Sequence, residues 1–164
     1  MSSKVQPIPE GYRSVSPAIT CRNAASAIDF YKKVLGATVF TRMDGPGGLI
    51  MHAELQIGDS RIFISDEFPG MSEAPRSETP VSAKGFGIFV YTEDVDSTLE
   101  RAIAAGARVD MPVQDMFWGD RYGKFTDPFG HSWGVATHTE DVAPEEVQRR
   151  SEAFSRQMAQ SAGA

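Results

Sequence analysis

Residues 35–39 read Leu-Gly-Ala-Thr-Val and residues 105–109 read Ala-Gly-Ala-Arg-Val, an offset of 70 positions. Each pentapeptide stands where a helical pattern stops and a strand pattern starts. Around each, the chain runs in the same order: strand, helix, strand, strand, strand. A second correspondence sets the turn Gly58-Asp59 against Phe129-Gly130 at an offset of 71. A repeat of this length constrains the fold more than any single motif does. Each copy is one supersecondary unit with an apolar face that it cannot bury alone. The expected fold is α+β, two βαβββ modules followed by a C-terminal helix.

The elements follow from local chemistry. Residues 1–14 are polar, contain Pro7 and Pro9, and read as an arm. Module one spans residues 15–66. Val15–Arg22 is β-branched and reads as a strand. Asn23 is a good N-cap for a helix over Ala24–Leu35, and Gly36 ends it. Ala37–Met43 and Leu49–Ile57 read as strands, and Gly58-Asp59 closes a two-residue hairpin into Ser60–Asp66. Residues 67–84 hold three prolines and read as a linker. Module two spans residues 85–139, with a strand over Gly85–Thr92, a helix capped by Asp94, a strand over Ala107–Met111, a loop through Pro112, and two strands flanking Asp127-Pro-Phe-Gly. The tail, residues 140–164, reads as a helix with Pro144 in its first turn and a stripe of Val147, Phe154 and Met158.

Bulk properties remove several function classes. The net charge is −6, with no Lys/Arg-rich block, which argues against a nucleic-acid partner. No window approaches a membrane span, and the N-terminus has no apolar run, so a cytoplasmic protein is expected. A lone Cys21 excludes an internal disulfide framework. It is expected as a buried thiol.

Several motifs occur in order. They are Ala27-Ile-Asp-Phe-Tyr-Lys-Lys-Val-Leu-Gly, Phe89-Val-Tyr-Thr-Glu-Asp-Val-Asp, Ala104-Ala-Gly-Ala and Thr126-Asp-Pro-Phe-Gly-His. With them the chain resembles the vicinal oxygen chelate superfamily, which includes glyoxalase I, bleomycin-resistance proteins, extradiol dioxygenases and fosfomycin-resistance enzymes. Met51-His-Ala-Glu-Leu-Gln-Ile-Gly-Asp-Ser and Trp118-Gly-Asp-Arg-Tyr-Gly look most like its PhnB-like branch. The resemblance implies half-open sheets whose concave faces line a cavity, and a homodimer. It also implies, in metal-dependent relatives, four ligands on the concave faces. Carried over one at a time, those positions fall on Ser16, Phe63, Gly87 and Gly134. None is His, Glu or Asp, so the inherited metal site is expected to be absent and no cofactor is expected.

The two-residue hairpin pairs Phe63 with Glu54, Arg61 with Gln56 and Ser65 with His52, and cross-strand partners share a face. His52 and Glu54 are therefore expected in the cavity, with Met51, Ala53 and Leu55 under the helices. A His-x-Glu pair suits a general base and its orienting carboxylate. In module two, Phe89, Tyr91 and His138 are expected in the cavity with Arg121 and Phe125 opposite them, Trp118 at its mouth and Trp133 in the core. Asp120 and Arg121 read as an ion pair. Three functions stay open. One is a protein that binds a small aromatic or hydrophobic molecule on Phe63, Phe89, Tyr91, Trp118, Arg121, Phe125 and His138. Another is an isomerase or lyase using His52 and Glu54, alone or with His138 around a relocated divalent metal. The third is an interaction protein presenting its C-terminal helix.

Overall fold

The computed structural model describes residues 6–79 and 85–162, the side chains at 158, 159, 161 and 162 excepted. The first half runs β1 (Ala18–Cys21), α1 (Ala24–Leu35), β2 (Thr38–Asp44), β3 (Ile50–Ile57) and β4 (Ser60–Asp66), with a short 3-10 turn at Pro46–Gly48. The second half runs β5 (Ile88–Tyr91), α2 (Val95–Ala104), β6 (Arg108–Asp115), β7 (Asp120–Thr126) and β8 (Ser132–His138), and α3 (Pro144–Ala162) follows. Each half forms one mixed four-stranded sheet, ordered β1-β4-β3-β2 and β5-β8-β7-β6. In both, the first strand pairs parallel with the fourth and the others pair antiparallel. The fold is therefore α+β, two open sheets of duplicated order plus a terminal helix.

Side-chain capping starts the helices where the sequence suggests. Asn23 accepts from the Ser26 N–H at 3.0 Å, and Asp94 from the Ser97 N–H at 3.0 Å, each worth roughly 1 kcal/mol. Gly36 ends α1 in the left-handed region at φ 65°. The buried Asp66 carboxylate accepts from the N–H groups of Ala24 and Ile50, both at 2.7 Å. One side chain thus ties the end of β4 to the starts of α1 and β3.

A single core joins the halves, with Tyr31, Val34, Leu55 and Ile64 packed in one cluster with Val95, Phe125, Trp133 and Val135. Asp127, buried between them, accepts from Tyr31 Oη at 2.6 Å, Trp133 Nε1 at 2.8 Å, and the N–H groups of Phe129 at 2.9 Å and His131 at 2.8 Å. Burial first, then the Asp127 charge, pushes the Tyr31 phenol well above its ordinary pKa. Arg101 of α2 donates to the carbonyl of Val34 from Nε at 3.3 Å and Nη2 at 3.1 Å, capping α1 from the other half. Cys21 is fully buried, and burial followed by the charges of Asp127 and Asp66 pushes its thiol up to about 12. Trp133 lies in the core as expected.

Three sequence expectations are corrected here. Met51 does not pack under the helices. The β2–β3 register shifts between Met43/His52 and Asp44/Ile50, so Met51 is the extra residue and Ile50 is buried instead. The stretch through Pro112 is not a loop, because β6 continues to Asp115 with an irregular register between Met111 and Gln114. Such a break accommodates a proline, which has no N–H to give the ladder. Finally, Phe125 and Arg121 lie on the helix side of the second sheet. Five residues, 127–131, separate Thr126 from its partner Ser132, so Phe125 pairs with Trp133 and Arg121 with Thr137. That loop is three residues longer than the two-residue turn of the first hairpin, and an odd step in register exchanges faces.

The helix α3 meets the rest through Phe154, whose ring lies 5.4 Å from that of Phe117. Arg150 adds a bidentate bond to Glu140 at 2.8 and 2.9 Å. The side chain of Met158, expected on the same stripe, is not described, and residues 80–84 of the linker lie outside the described residues. Among the described residues, no helix is long and apolar enough to cross a membrane.

Candidate functional site

On the first sheet, Ala53, Leu55, Ile62 and Ile64 are buried under the helices. Alternation therefore puts His52, Glu54, Gln56, Arg61 and Phe63 on the opposite face. The register confirms this, with Glu54 against Phe63 and Gln56 against Arg61. His52 Nε2 lies 3.2 Å from Glu54 Oε1, so the predicted pair is assembled. Phe63 packs its ring 5.3 Å from the His52 imidazole.

No pattern in the sequence points to what covers this face. Tyr12 of the N-terminal arm lies across it and donates from Oη to Glu54 Oε2 at 2.5 Å. Its ring stands 6.4 Å from both Phe63 and Phe40. The Arg61 guanidinium sits 4.2 Å from the centroid of Tyr12 and 3.5 Å from that of Phe40, a cation held against two π faces. Only 10% of the Arg61 side chain is exposed, with Nη1 3.7 Å from Glu54 Oε2. Burial works against ionising Glu54. The hydrogen bonds from Tyr12 and His52 and the charges of His52 and Arg61 outweigh it and hold the carboxyl below its ordinary range.

The second sheet presents a different face. Phe89 stacks on Tyr122 at 5.5 Å with 10° between planes, and Tyr91 meets Phe89 edge-on at 5.0 Å. Phe89 is 48% exposed and Tyr91 63%. Behind them Asp120 is buried and gathers three side chains: Trp118 Nε1 donates to it at 2.9 Å, Tyr91 Oη at 3.0 Å, and His138 Nδ1 lies 2.7 Å away. His138 Nε2 lies 3.0 Å from Asp141. The bonds to Asp120 and Asp141 raise the His138 pKa above its ordinary value. Burial opposes ionisation of Asp120, but its bonds to His138, Trp118 and Tyr91 outweigh that and lower its pKa.

The predicted ion pair between Asp120 and Arg121 is therefore not formed. Arg121 binds Asp96 of α2 at 2.6 and 2.7 Å and Asp115 at 3.0 Å, on the helix side. Phe125 is fully buried against Trp133. Neither residue reaches the cavity faces. Trp118 does stand at the edge of the second face, its ring 5.9 Å from Tyr122. A cavity of about 330 Å³ lies in the seam between the halves, lined by Arg13 and Val15 of the arm, Asp59 and Arg61 at the first hairpin, and Phe89 and Tyr91 of β5.

The donor set at the four inherited metal positions does not fit a metal. Ser16 offers one hydroxyl; Phe63, Gly87 and Gly134 offer no side-chain donor. At Gly134 a Cβ would stand 3.0 Å from Tyr122 Oη and 3.1 Å from Phe89 Cδ2, so the aromatic pair fills the place where a ligand side chain would extend. Among the described residues, no group of three or more His, Cys, Asp or Glu is arranged to hold an ion. His52 and Glu54 come together, while His138 belongs to the separate Asp120 cluster.

With this geometry in view, comparison with known proteins gives consistent results. A family model described as the Glyoxalase/Bleomycin resistance protein/Dioxygenase superfamily matches residues 13–135. The uncharacterized protein Rv0887c of Mycobacterium tuberculosis is 39% identical over 137 residues, covering 82% of this chain and 80% of that protein. The crystal structure of PA1353 from Pseudomonas aeruginosa is 28% identical with a TM-score of 0.61, covering 77% of this chain and 98% of that one. The PhnB protein from Bacillus cereus is 14% identical with a TM-score of 0.58, covering 76% and 99%, a likeness of fold.

Proposed function

The chain belongs to the glyoxalase/bleomycin resistance protein/dioxygenase superfamily, and from that premise we propose that it binds a small aromatic or hydrophobic molecule on the second sheet's open face. The observation that carries this reading is the exposed aromatic surface of Phe89 and Tyr91, with half-buried Tyr122, around the bare backbone of Gly134. Offset and edge-on ring packing suits a planar guest. Asp120 supports the reading by fixing Tyr91 and Trp118 from behind, so the wall is set before a guest arrives. A homodimer, in which a second copy closes the face, completes the pocket. The net charge of −6 favours cationic over anionic guests and gives nucleic acid no foothold.

The test is a melting experiment with indole and 1-naphthol, since a molecule specific for the folded state raises the melting temperature. The rise should disappear in Phe89→Ala and shrink in Trp118→Ala. An unchanged rise in Phe89→Ala removes the reading. Sedimentation of the free protein reads the dimer.

A second reading rests on the His52–Glu54 contact at 3.2 Å. There the pair moves a proton in an isomerase or lyase reaction, with Glu54 orienting the imidazole. A His52→Ala variant that turns over an identified substrate at the parental rate eliminates it. Stoichiometric divalent metal in protein purified without chelator would overturn the metal-free assignment.

A further inference from the structure

The residue that covers the first face also shows what that face accepts. We propose that the first sheet, beneath Tyr12, is a separate binding site for a small phenol, and that Tyr12 occupies it as a built-in competitor. Each part of a phenol meets a group suited to it. The ring lies against the Arg61 guanidinium at 4.2 Å, with Phe40, perpendicular to it, 3.5 Å from the same cation. Phe63 forms a further wall, 6.4 Å from the ring centroid. The hydroxyl donates to Glu54 at 2.5 Å, and His52 lies 3.2 Å from the same carboxylate. An ionised carboxylate only accepts hydrogen bonds, so the site demands a donor on the ring.

Two observations separate this from simple packing of an arm. First, Arg61 Nη1 is buried and has no hydrogen-bond acceptor. With Tyr12 in place, this donor stays beyond hydrogen-bond reach of its nearest carboxylate, Glu54 Oε2, 3.7 Å away. Second, the occupant is held on a segment that belongs to neither sheet. Tyr12 N–H closes a local turn onto the carbonyl of Pro9 at 3.1 Å, and the first strand begins at Ala18. The arm can thus leave without breaking a strand pair. The seam cavity lined by Arg13 and Arg61 gives a guest access from the arm's side. A free phenol then binds only the fraction of molecules whose arm is displaced, which weakens its apparent affinity in the intact chain. The second sheet's aromatic residues take no part.

Calorimetric titration of the full chain with 4-methylphenol, which is the tyrosine side chain as a free molecule, and with toluene tests the proposal. Tyr12→Ala should bind 4-methylphenol about tenfold tighter than the unaltered chain does, and about tenfold tighter than it binds toluene, the scale of one hydrogen bond to a charged group. That preference should vanish in Tyr12→Ala with Glu54→Leu. 4-Methylanisole, which accepts but cannot donate, should bind Tyr12→Ala no better than toluene, a control that needs no second substitution. Equal 4-methylphenol affinity in Tyr12→Ala and the unaltered chain, or equal affinity for the phenol and toluene, overturns the proposal. So does loss of phenol binding when Phe89→Ala is added to Tyr12→Ala, which would put the guest on the other face; retained binding supports it.

Discussion

The two sheets have one topology and opposite surfaces. In the first, Ala18 of β1 stands beside Phe63 of β4; at the matching pair in the second, Phe89 of β5 stands beside Gly134 of β8. The large and small partners have changed strands. Bulk on the inner strand, as at Phe63, sits under the arm and is covered by Tyr12. Bulk on the edge strand, as at Phe89, stands at the seam and remains in solvent. The polar hubs differ in the same sense. Glu54 is satisfied by a residue from outside its sheet, Tyr12, whereas Asp120 is satisfied from its own half by Trp118, Tyr91 and His138. A duplicated backbone thus supports one closed face and one open one by moving a ring across a strand pair.

The strongest way to break this contrast is at Asp120. Asp120→Ala removes the acceptor shared by Trp118, Tyr91 and His138 and frees Tyr91 and Trp118. Chemical denaturation should show a loss of about 3 kcal/mol, and tryptophan emission should shift as Trp118 loses its acceptor. Next is Gly134→Leu, which pushes a side chain into the Phe89–Tyr122 stack at contacts of 3.0–3.1 Å. The expected cost is about 2 kcal/mol, with loss of aromatic binding on the open face and no change at Tyr12.

The first hairpin explains why so much of the closed face was legible in the sequence. A two-residue Gly58-Asp59 turn admits one register, and that register places His52, Glu54, Arg61 and Phe63 where alternation puts them. The second hairpin has no such signature. Asp127-Pro-Phe-Gly-His spans five residues between paired strands, and its length, not its composition, decides which way Arg121 and Phe125 turn. Tyr12 was illegible for a different reason. It sits in a polar segment with no periodicity, and its partner Glu54 lies 42 residues away, so neither local propensity nor the repeat points to it. The Asp127 hub was equally hidden, because a buried acceptor shared by Tyr31 and Trp133 is a property of packing between halves.

Smaller effects sharpen the comparison. Tyr12→Phe keeps the ring on Arg61 and removes the bond to Glu54. Stability should fall by about 1 kcal/mol, and the open face should bind as before. The smallest effect is in pH dependence. His138 holds its proton more tightly in the fold, beside Asp120 and Asp141, than in the unfolded chain. Its contribution is complete below the ordinary value of 6.5 and is lost as pH rises through the higher folded value. Glu54 acts at the other end, because its lowered pKa gives stability that is lost as pH falls through the folded value. Melting temperature followed across pH should lose the alkaline-side decline in His138→Gln and keep the acid-side one.

Asp127 has a consequence for how the chain is made. Tyr31 is committed to a dry position in α1, yet the oxygen that receives its phenol lies 96 residues later in the chain. During synthesis the first half emerges with all four strands of its sheet but without the acceptor for the Tyr31 hydroxyl. Arg101, which caps that helix at Val34, also comes late. Until Asp127 and Trp133 are made, the α1 surface that they cover has no partner. On heating, the halves should come apart in one calorimetric step, because neither keeps a closed core once Asp127 is gone from it.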